Sequence, residues 1–558
     1  MSAGGGAGVQ VWLLAAALLL PWLLLAALPF QRVSARGLLL PLAAVPALFA
    51  ALLLPDGTVV TTPFLPDGLA FGMDGIARVF LLPAALIWMV AGWMAAQLRP
   101  EQARSPTFGA FWLLALAGNL ALILAQDLLA LYAGIALMTF AALGLVVFER
   151  TPQALAAGRL YLAMMLLAEV ALFVAVAALV AAAGGETRFD AVTAGVSGPI
   201  LALLALAFGL KLGALGLHSW LPRAHPVAPV PASAVLSGVM IKAGILGWLR
   251  LVEPAGDAYA PVLAPLLVVL GLAGALYAVL RGLPSRDPKV LLAWSSVSQM
   301  GLVTVLAGLA LQSGAAGAAA IAAIAVFVLH HGLAKAGLFL GVGLLGVSRG
   351  RRRRWVWIGL WLPALALAAA PGTSGVLAKA ALDLAAGAAG TGSGVDALLY
   401  LTGVASALLM LRFLWLTGRL SVPDPEEASA VGWVPELPWI LLLGGVLVLP
   451  WFAFHDTPML AAAASGSEQQ LGAIVPLVLA LLIAWAAARW PVSVRLPQEM
   501  RRRMSAIGLH GAALAQRLPS PFRLANWERH LHAWSLIGRV VVLVMLALGA
   551  TIGFGLAF

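Results

Sequence analysis

Leu210-Lys211-Leu212-Gly213-Ala214-Leu215-Gly216-Leu217-His218-Ser219-Trp220-Leu221-Pro222 decides how this sequence is read. Apolar residues flank it on both sides, so it lies in a run long enough to cross a bilayer, yet Gly213, Gly216 and Pro222 interrupt any continuous helix. In lipid, non-helical backbone is tolerated only where it is buried in protein or lines a wet cavity. A lysine at mid-membrane costs about 3 kcal/mol to insert and persists where it faces a polar interior. A second stretch repeats these features: Pro371-Gly372-Thr373-Ser374-Gly375-Val376-Leu377-Ala378-Lys379. The two fall in the seventh and twelfth apolar segments. An odd offset reverses the chain direction between them, as in inverted-topology repeats.

Composition agrees with a membrane setting. The chain has 558 residues, 63% hydrophobic and 10% charged, against roughly 25% charged in a soluble domain. Too little polar surface remains to cover the apolar bulk, which excludes soluble globular, disordered and fibrous classes. The net charge of +11 is not a nucleic-acid signal, because in a membrane protein its distribution matters more than its sum. There are no cysteines, hence no disulfides, thiolate zinc sites or cysteine-ligated iron–sulfur clusters. The eight histidines show no metal or haem spacing, and no nucleophile–base pair stands out. The expectation is therefore no catalytic centre, no metal and no cofactor on this chain. No segment offers room for a nucleotide fold, so redox or ATP chemistry belongs to a partner.

A span needs about 20 apolar residues to cross roughly 30 Å of hydrocarbon. Sixteen stretches qualify, near 11–30, 38–54, 75–97, 109–125, 127–148, 160–183, 199–217, 230–250, 261–281, 290–311, 318–346, 356–385, 396–418, 436–455, 471–489 and 536–557. The fold class expected is an all-α polytopic membrane protein of about 14–16 helices with two broken ones. Loops after odd-numbered spans hold 26 of the 33 lysines and arginines, whereas the opposite loops hold only Arg188 and Arg250. The other five, Arg78, Lys211, Lys242, Lys335 and Lys379, fall inside spans. This asymmetry predicts a bacterial-type plasma (inner) membrane protein with both termini extracytoplasmic. Met1 to Gln10 carries no positive charge and does not read as a cleaved signal. The organisation expected is helices 1–3 in 1–100, a first inverted repeat of helices 4–8 in 101–255, a second of helices 9–13 in 256–420, and C-terminal helices in 421–558. Residues 490–535 form a basic cytoplasmic connector there, read equally well as an interfacial amphipathic segment or a solvated loop.

Four of the five lysines lie in spans, while positive charge elsewhere is arginine. Burial can bring a lysine toward neutrality and let it exchange a proton, whereas arginine stays charged. The plain alternative is a stem that snorkels to the headgroups, most natural for Lys242. Acids that could pair with the lysines are Glu169 and Asp383, with Asp74 near the start of the third span. His331 and Lys335 are four apart on one helix face, as are Lys379 and Asp383. His330 adjoins His331, and His218 and His225 sit at the first break.

Residues 208–244 and 286–301 add a resemblance. The run Phe208 to Lys211, His218-Ser219-Trp220-Leu221-Pro222-Arg223-Ala224-His225-Pro226 and Leu236-Ser237-Gly238-Val239-Met240-Ile241-Lys242-Ala243-Gly244, followed by Arg286-Asp287-Pro288-Lys289 through Ser295-Ser296-Val297-Ser298-Gln299-Met300-Gly301 and His331-Gly332-Leu333-Ala334-Lys335, is similar to antiporter-like, proton-translocating membrane subunits. These subunits occur in respiratory complex I, Mrp-type cation/proton antiporters and energy-converting hydrogenases. The resemblance covers roughly 65–420. It implies two inverted five-helix repeats, each with a half-channel, joined by a polar axis. Lys211 would then be the proton-loading lysine, Lys242 and His331–Lys335 the link, and Lys379 the exit-side lysine. In the family, the fifth span carries a glutamate that pairs with the seventh-span lysine. Here Ala136 stands at that position, and Glu169 is the expected substitute.

The function expected is proton translocation through buried Lys, His and acidic residues within a multisubunit complex. The partners expected are other membrane subunits, the bilayer and a peripheral redox or hydrolytic subunit. The alternatives are cation/proton antiport, ion-coupled inorganic-carbon uptake, or a degenerate membrane anchor, which Ala136 would favour.

Overall fold

The computed structural model describes residues 3–62, 68–423, 436–454, 457 and 466–489. Among them thirteen helices are long and apolar enough to cross a membrane: Gln10–Phe30, Arg36–Leu53, Gly75–Leu98, Pro106–Leu124, Leu128–Val146, Pro152–Ala182, Val230–Leu251, Ala260–Gly282, Pro288–Leu309, Gly314–Leu345, Ser393–Thr417, Glu436–Ala453 and Gln470–Arg489. The seventh and twelfth expected spans are the two broken ones, and their pieces fall short of this length. The sixteenth, near 536–557, and the basic connector at 490–535 lie outside the described residues. Residues Met1–Leu481 form one compact unit. A second begins at Leu482, of which 482–489, the end of a helix, are described.

Each break has a local cause. The helix Gly198–Leu212 stops at Gly213, whose φ of 73° is left-handed and open to glycine without strain. The chain resumes as the helix Leu221–Val227. The twelfth span runs as Gly350–Gly359 and Trp361–Leu367, then restarts at Ser374–Ala388. There the Thr373 side chain accepts from Gly375 N, supplying the cap a restarting helix needs. Sequence reading expected two broken helices, and the structure has a further break in the eighth span. Val230–Gly238 gives way at Val239 to a 3-10 turn, Met240–Lys242, before Ala243–Leu251. Gly238 packs so closely on the eleventh span that a Cβ there would lie 3.1 Å from Gly332 O. A residue without a side chain lets the two backbones meet just before Lys242.

Loops an even number apart in sequence meet, as alternating spans require. On one face the hairpin of β1 (Val59–Thr62) and β2 (Leu69–Gly72) is antiparallel, an addition to the all-helical expectation. It bridges Phe71 to Ala125, and Asp127 in turn bridges to Arg188. Arg250, ending the eighth span, reaches Asp74 at the start of the third. On the opposite face Gln102 meets Glu149, Lys289 donates to Ala228 O, Arg412 to Ser285 O and Arg353 to Leu420 O. A single miscounted span between the second and the thirteenth would have mixed the two sets.

Candidate functional site

The eighth, tenth and eleventh spans are mostly buried, and the polar groups of interest gather around them. Lys211 lies in the last turn before the first break, 4% exposed. Its Nζ is 2.7 Å from Glu169 Oε1 on the sixth span and donates to Thr139 Oγ1 on the fifth at 2.9 Å. Thr139 donates its own hydroxyl proton to Ile135 O, and Tyr161 OH donates to Thr139 O. The hydroxyl therefore presents a lone pair to the amine. Glu169 thus occupies the pairing that Ala136 cannot make. Its Oε2 is buried with no hydrogen-bonding partner among the described residues.

Lys242 is 3% exposed and does not snorkel. Its Nζ donates to Ser237 O at 2.7 Å and lies 2.9 Å from His331 Nδ1. The break at Val239 frees the backbone around Ser237, so a carbonyl can accept from the amine. Lys335, fully buried, donates to Leu292 O at 2.9 Å. The same carbonyl accepts from Ser296 Oγ at 3.0 Å, and the Ser296 hydroxyl meets Ser237 Oγ at 2.7 Å. Lys242 and Lys335 are therefore joined through Ser237, Ser296 and Leu292 O, without an acid. His330 continues toward the second break, its Nδ1 lying 2.9 Å from Ser374 Oγ.

Lys379 pairs with Asp383 Oδ2 at 2.6 Å within one helix turn, the two side chains 23% and 35% exposed. The structure places the other candidates apart from these clusters. His218 accepts from Gly216 N and packs against Tyr277 and Trp294. His225 stacks on Phe339 at 4.6 Å, and neither of its ring nitrogens has a hydrogen-bonding partner among the described residues.

Sequence reading passed over several of these groups. Thr139, Ser237, Ser296 and Ser374 are small hydroxyls common in any apolar span, and only their partners mark them. Asn119 is another: its Nδ2 lies 3.4 Å from Met138 Sδ, and it lines a small cavity with Phe80, Val239, Lys242 and Val328. Asp74, outside the spans, is held by both Nη atoms of Arg250 at 2.6 and 3.0 Å. Burial raises the Asp74 carboxyl, but the Arg250 guanidinium together with hydrogen bonds from Ala77 N and Gln126 outweighs it and leaves the group below the usual carboxylate range. Among the described residues no cluster of His, Asp and Glu could hold a metal ion.

Residues 125–389 match the family described as NADH:quinone oxidoreductase/Mrp antiporter, transmembrane. An uncharacterized protein of Mycobacterium tuberculosis is 38% identical over 229 residues, 39% of this chain and 35% of its own length. Hydrogenase-4 component B of Escherichia coli is 28% identical over 345 residues, 57% of this chain and 51% of its own. The chain thus spans about a third to a half of the curated relatives it matches. In fold, the Mrp complex from Dietzia sp. superposes with a TM-score of 0.71 at 23% identity, over 96% of this chain and 63% of that one. Residues 125–389, a little under half of the chain, are thus similar to the NADH:quinone oxidoreductase/Mrp antiporter family, and the fold is that of an Mrp complex chain.

Proposed function

We propose that this chain moves protons across a bacterial inner membrane as one subunit of a larger complex, with both termini extracytoplasmic. One observation carries the reading: three buried lysines sit in hydrogen-bonded settings, two of them joined through Ser237, Ser296 and Leu292 O. Lysines kept only for anchoring have no reason to bear the cost of burial. In the proposed scheme Lys211, paired with Glu169 and steadied by Thr139, loads a proton in the first repeat (101–255). The proton next reaches the central cluster of Lys242, His331 and Lys335, where Lys242 Nζ lies 2.9 Å from His331 Nδ1. His330 and Ser374 lead toward Lys379 and Asp383 in the second repeat (256–420). The Ser237 and Ser296 hydroxyls bond to each other between the two amines, which themselves donate to the carbonyls of Ser237 and Leu292, so the region between the lysines is polar but uncharged. A charge change on a partner subunit, redox or hydrolytic, supplies the drive.

The test uses inverted membrane vesicles containing the whole complex. Lys211→Met and Lys335→Met are each expected to abolish driven proton uptake while the complex still assembles and its peripheral reaction continues. Unaltered proton uptake in both variants would reject the scheme and leave an anchoring subunit.

A further inference from the structure

On the arginine-rich face several guanidiniums are committed to protein partners. Arg349 donates to Pro423 O, Arg353 to Leu345 O and Leu420 O, and Arg352 pairs with Glu436. Two are not. Arg412 and Arg419 lie 4.3 and 3.9 Å from the ring centroid of the same indole, Trp415. Arg412 makes a single long hydrogen bond, from Nη2 to Ser285 O at 3.3 Å, and its Nε is buried with no partner among the described residues. Nor does either guanidinium form an ion pair among those residues. Asp287, the acid nearest Ser285 in sequence, accepts from Lys289 N and Val290 N at the start of its own helix. Each cation gains from the ring face, but two like charges on one indole repel unless an anion joins them.

The rest of that helix says which anion. Arg412, Trp415 and Arg419 follow one stripe of Ser393–Thr417 and its C-terminal extension, and Leu401 and Leu398 lie further along the same stripe. Trp415 is 44% exposed, and Leu398 and Leu401 are exposed as well. An exposed apolar stripe on a membrane helix faces acyl chains, and an indole at its end sits at headgroup depth. The helix therefore offers exposed leucines at one end of the stripe and two guanidiniums at the other. Arginine's planar fork suits a phosphate, and basic sites of this kind hold lipid headgroups. We propose that Arg412, Trp415 and Arg419 bind the phosphate of an anionic phospholipid whose chains lie along Leu401 and Leu398. Free phosphate could use the same two guanidiniums but would make no use of the stripe. This site is independent of the proton path.

The full-length chain, with the subunits that co-purify, is reconstituted in phosphatidylcholine nanodiscs with and without phosphatidylglycerol, and bound phosphatidylglycerol is counted by native mass spectrometry. Arg412→Gln with Arg419→Gln is expected to lower its affinity about thirtyfold, about fivefold for each arginine removed. Arg412→Lys with Arg419→Lys, which keeps charge but loses the fork, falls between. Arg104→Gln with Arg150→Gln removes equal charge from exposed positions on the same face and leaves affinity unaltered. Three results would each overturn the proposal: an equal loss in that control, no loss in the Arg412/Arg419 glutamine variant, or the same thermal stabilisation from inorganic phosphate alone. Should the glutamine variant not fold, Trp415→Leu retains both charges and is expected to weaken binding severalfold; full affinity there would also overturn the proposal.

Discussion

Two lysine–carboxylate pairs of nearly equal length occupy opposite settings. Lys211 and Glu169, at 2.7 Å, come from two different spans and have side chains 3% and 5% exposed. Lys379 and Asp383, at 2.6 Å, share one helix turn and keep contact with the surroundings. At such separations the attraction depends on the medium more than on the distance. The buried pair depends on how the sixth and seventh spans are packed, so a small shift between them changes the charge Lys211 feels. The other pair moves as a unit with its helix. A shift between spans therefore acts on the first pair and leaves the second intact.

The sharpest way to break this contrast is Glu169→Gln. It strands a buried ammonium and is expected to cost about 3–5 kcal/mol of stability, read as a lowered thermal transition of the complex. Combining it with Lys211→Met should recover most of that loss, because no charge is then left unpaired. A double variant no more stable than the single one would mean that the pair is not coupled. Next in size is Thr139→Val, which removes a hydroxyl from a charged donor and should cost about 1.5–3 kcal/mol. Thr139→Ser should restore it, and the pH profile of proton uptake should shift for Val alone if the hydroxyl positions the amine rather than merely filling space.

How much of this was legible follows from what a sequence encodes locally. Apolar run length gave the spans, and Gly213 and Gly372 with their neighbours gave the two expected breaks, because chain-breaking chemistry acts where it stands. Buried lysines announce themselves by their rarity. The break at Val239 carried no comparable mark: it lies next to the close meeting of Gly238 and Gly332, which are far apart in sequence. Ser237 and Ser296 are likewise ordinary until the eighth and tenth spans bring them to 2.7 Å. Periodicity reports that a helix is buried and leaves open which neighbour it meets. Asp74 and Arg250 were each visible, but their 176-residue separation hid the pair.

The serine link tests whether the centre of the molecule connects the two unequal halves. Ser296→Ala removes the hydroxyl shared by Ser237 and Leu292 O and should cost about 1 kcal/mol in stability. Proton uptake should fall about tenfold if about 1.4 kcal/mol is added to the rate-limiting transfer. Ser296→Thr, which retains a hydroxyl, should transport faster than Ser296→Ala. Equal rates in the two would assign Ser296 to packing.

The smallest effect expected is at the exposed pair. Asp383→Asn removes a partly exposed carboxylate from an i,i+4 pair; such pairs are worth about 0–1 kcal/mol when they face solvent, and the thermal transition should then barely move. Raising salt from low to physiological strength should weaken the native Lys379–Asp383 interaction, because exposed charges are screened. It should leave the Lys211–Glu169 coupling nearly unaltered. If Asp383→Asn instead destabilised the protein as much as Glu169→Gln, the two pairs would be equally desolvated in the working complex. A partner subunit covering the second break would then be the physical cause, and the asymmetry between the halves would belong to the isolated chain alone.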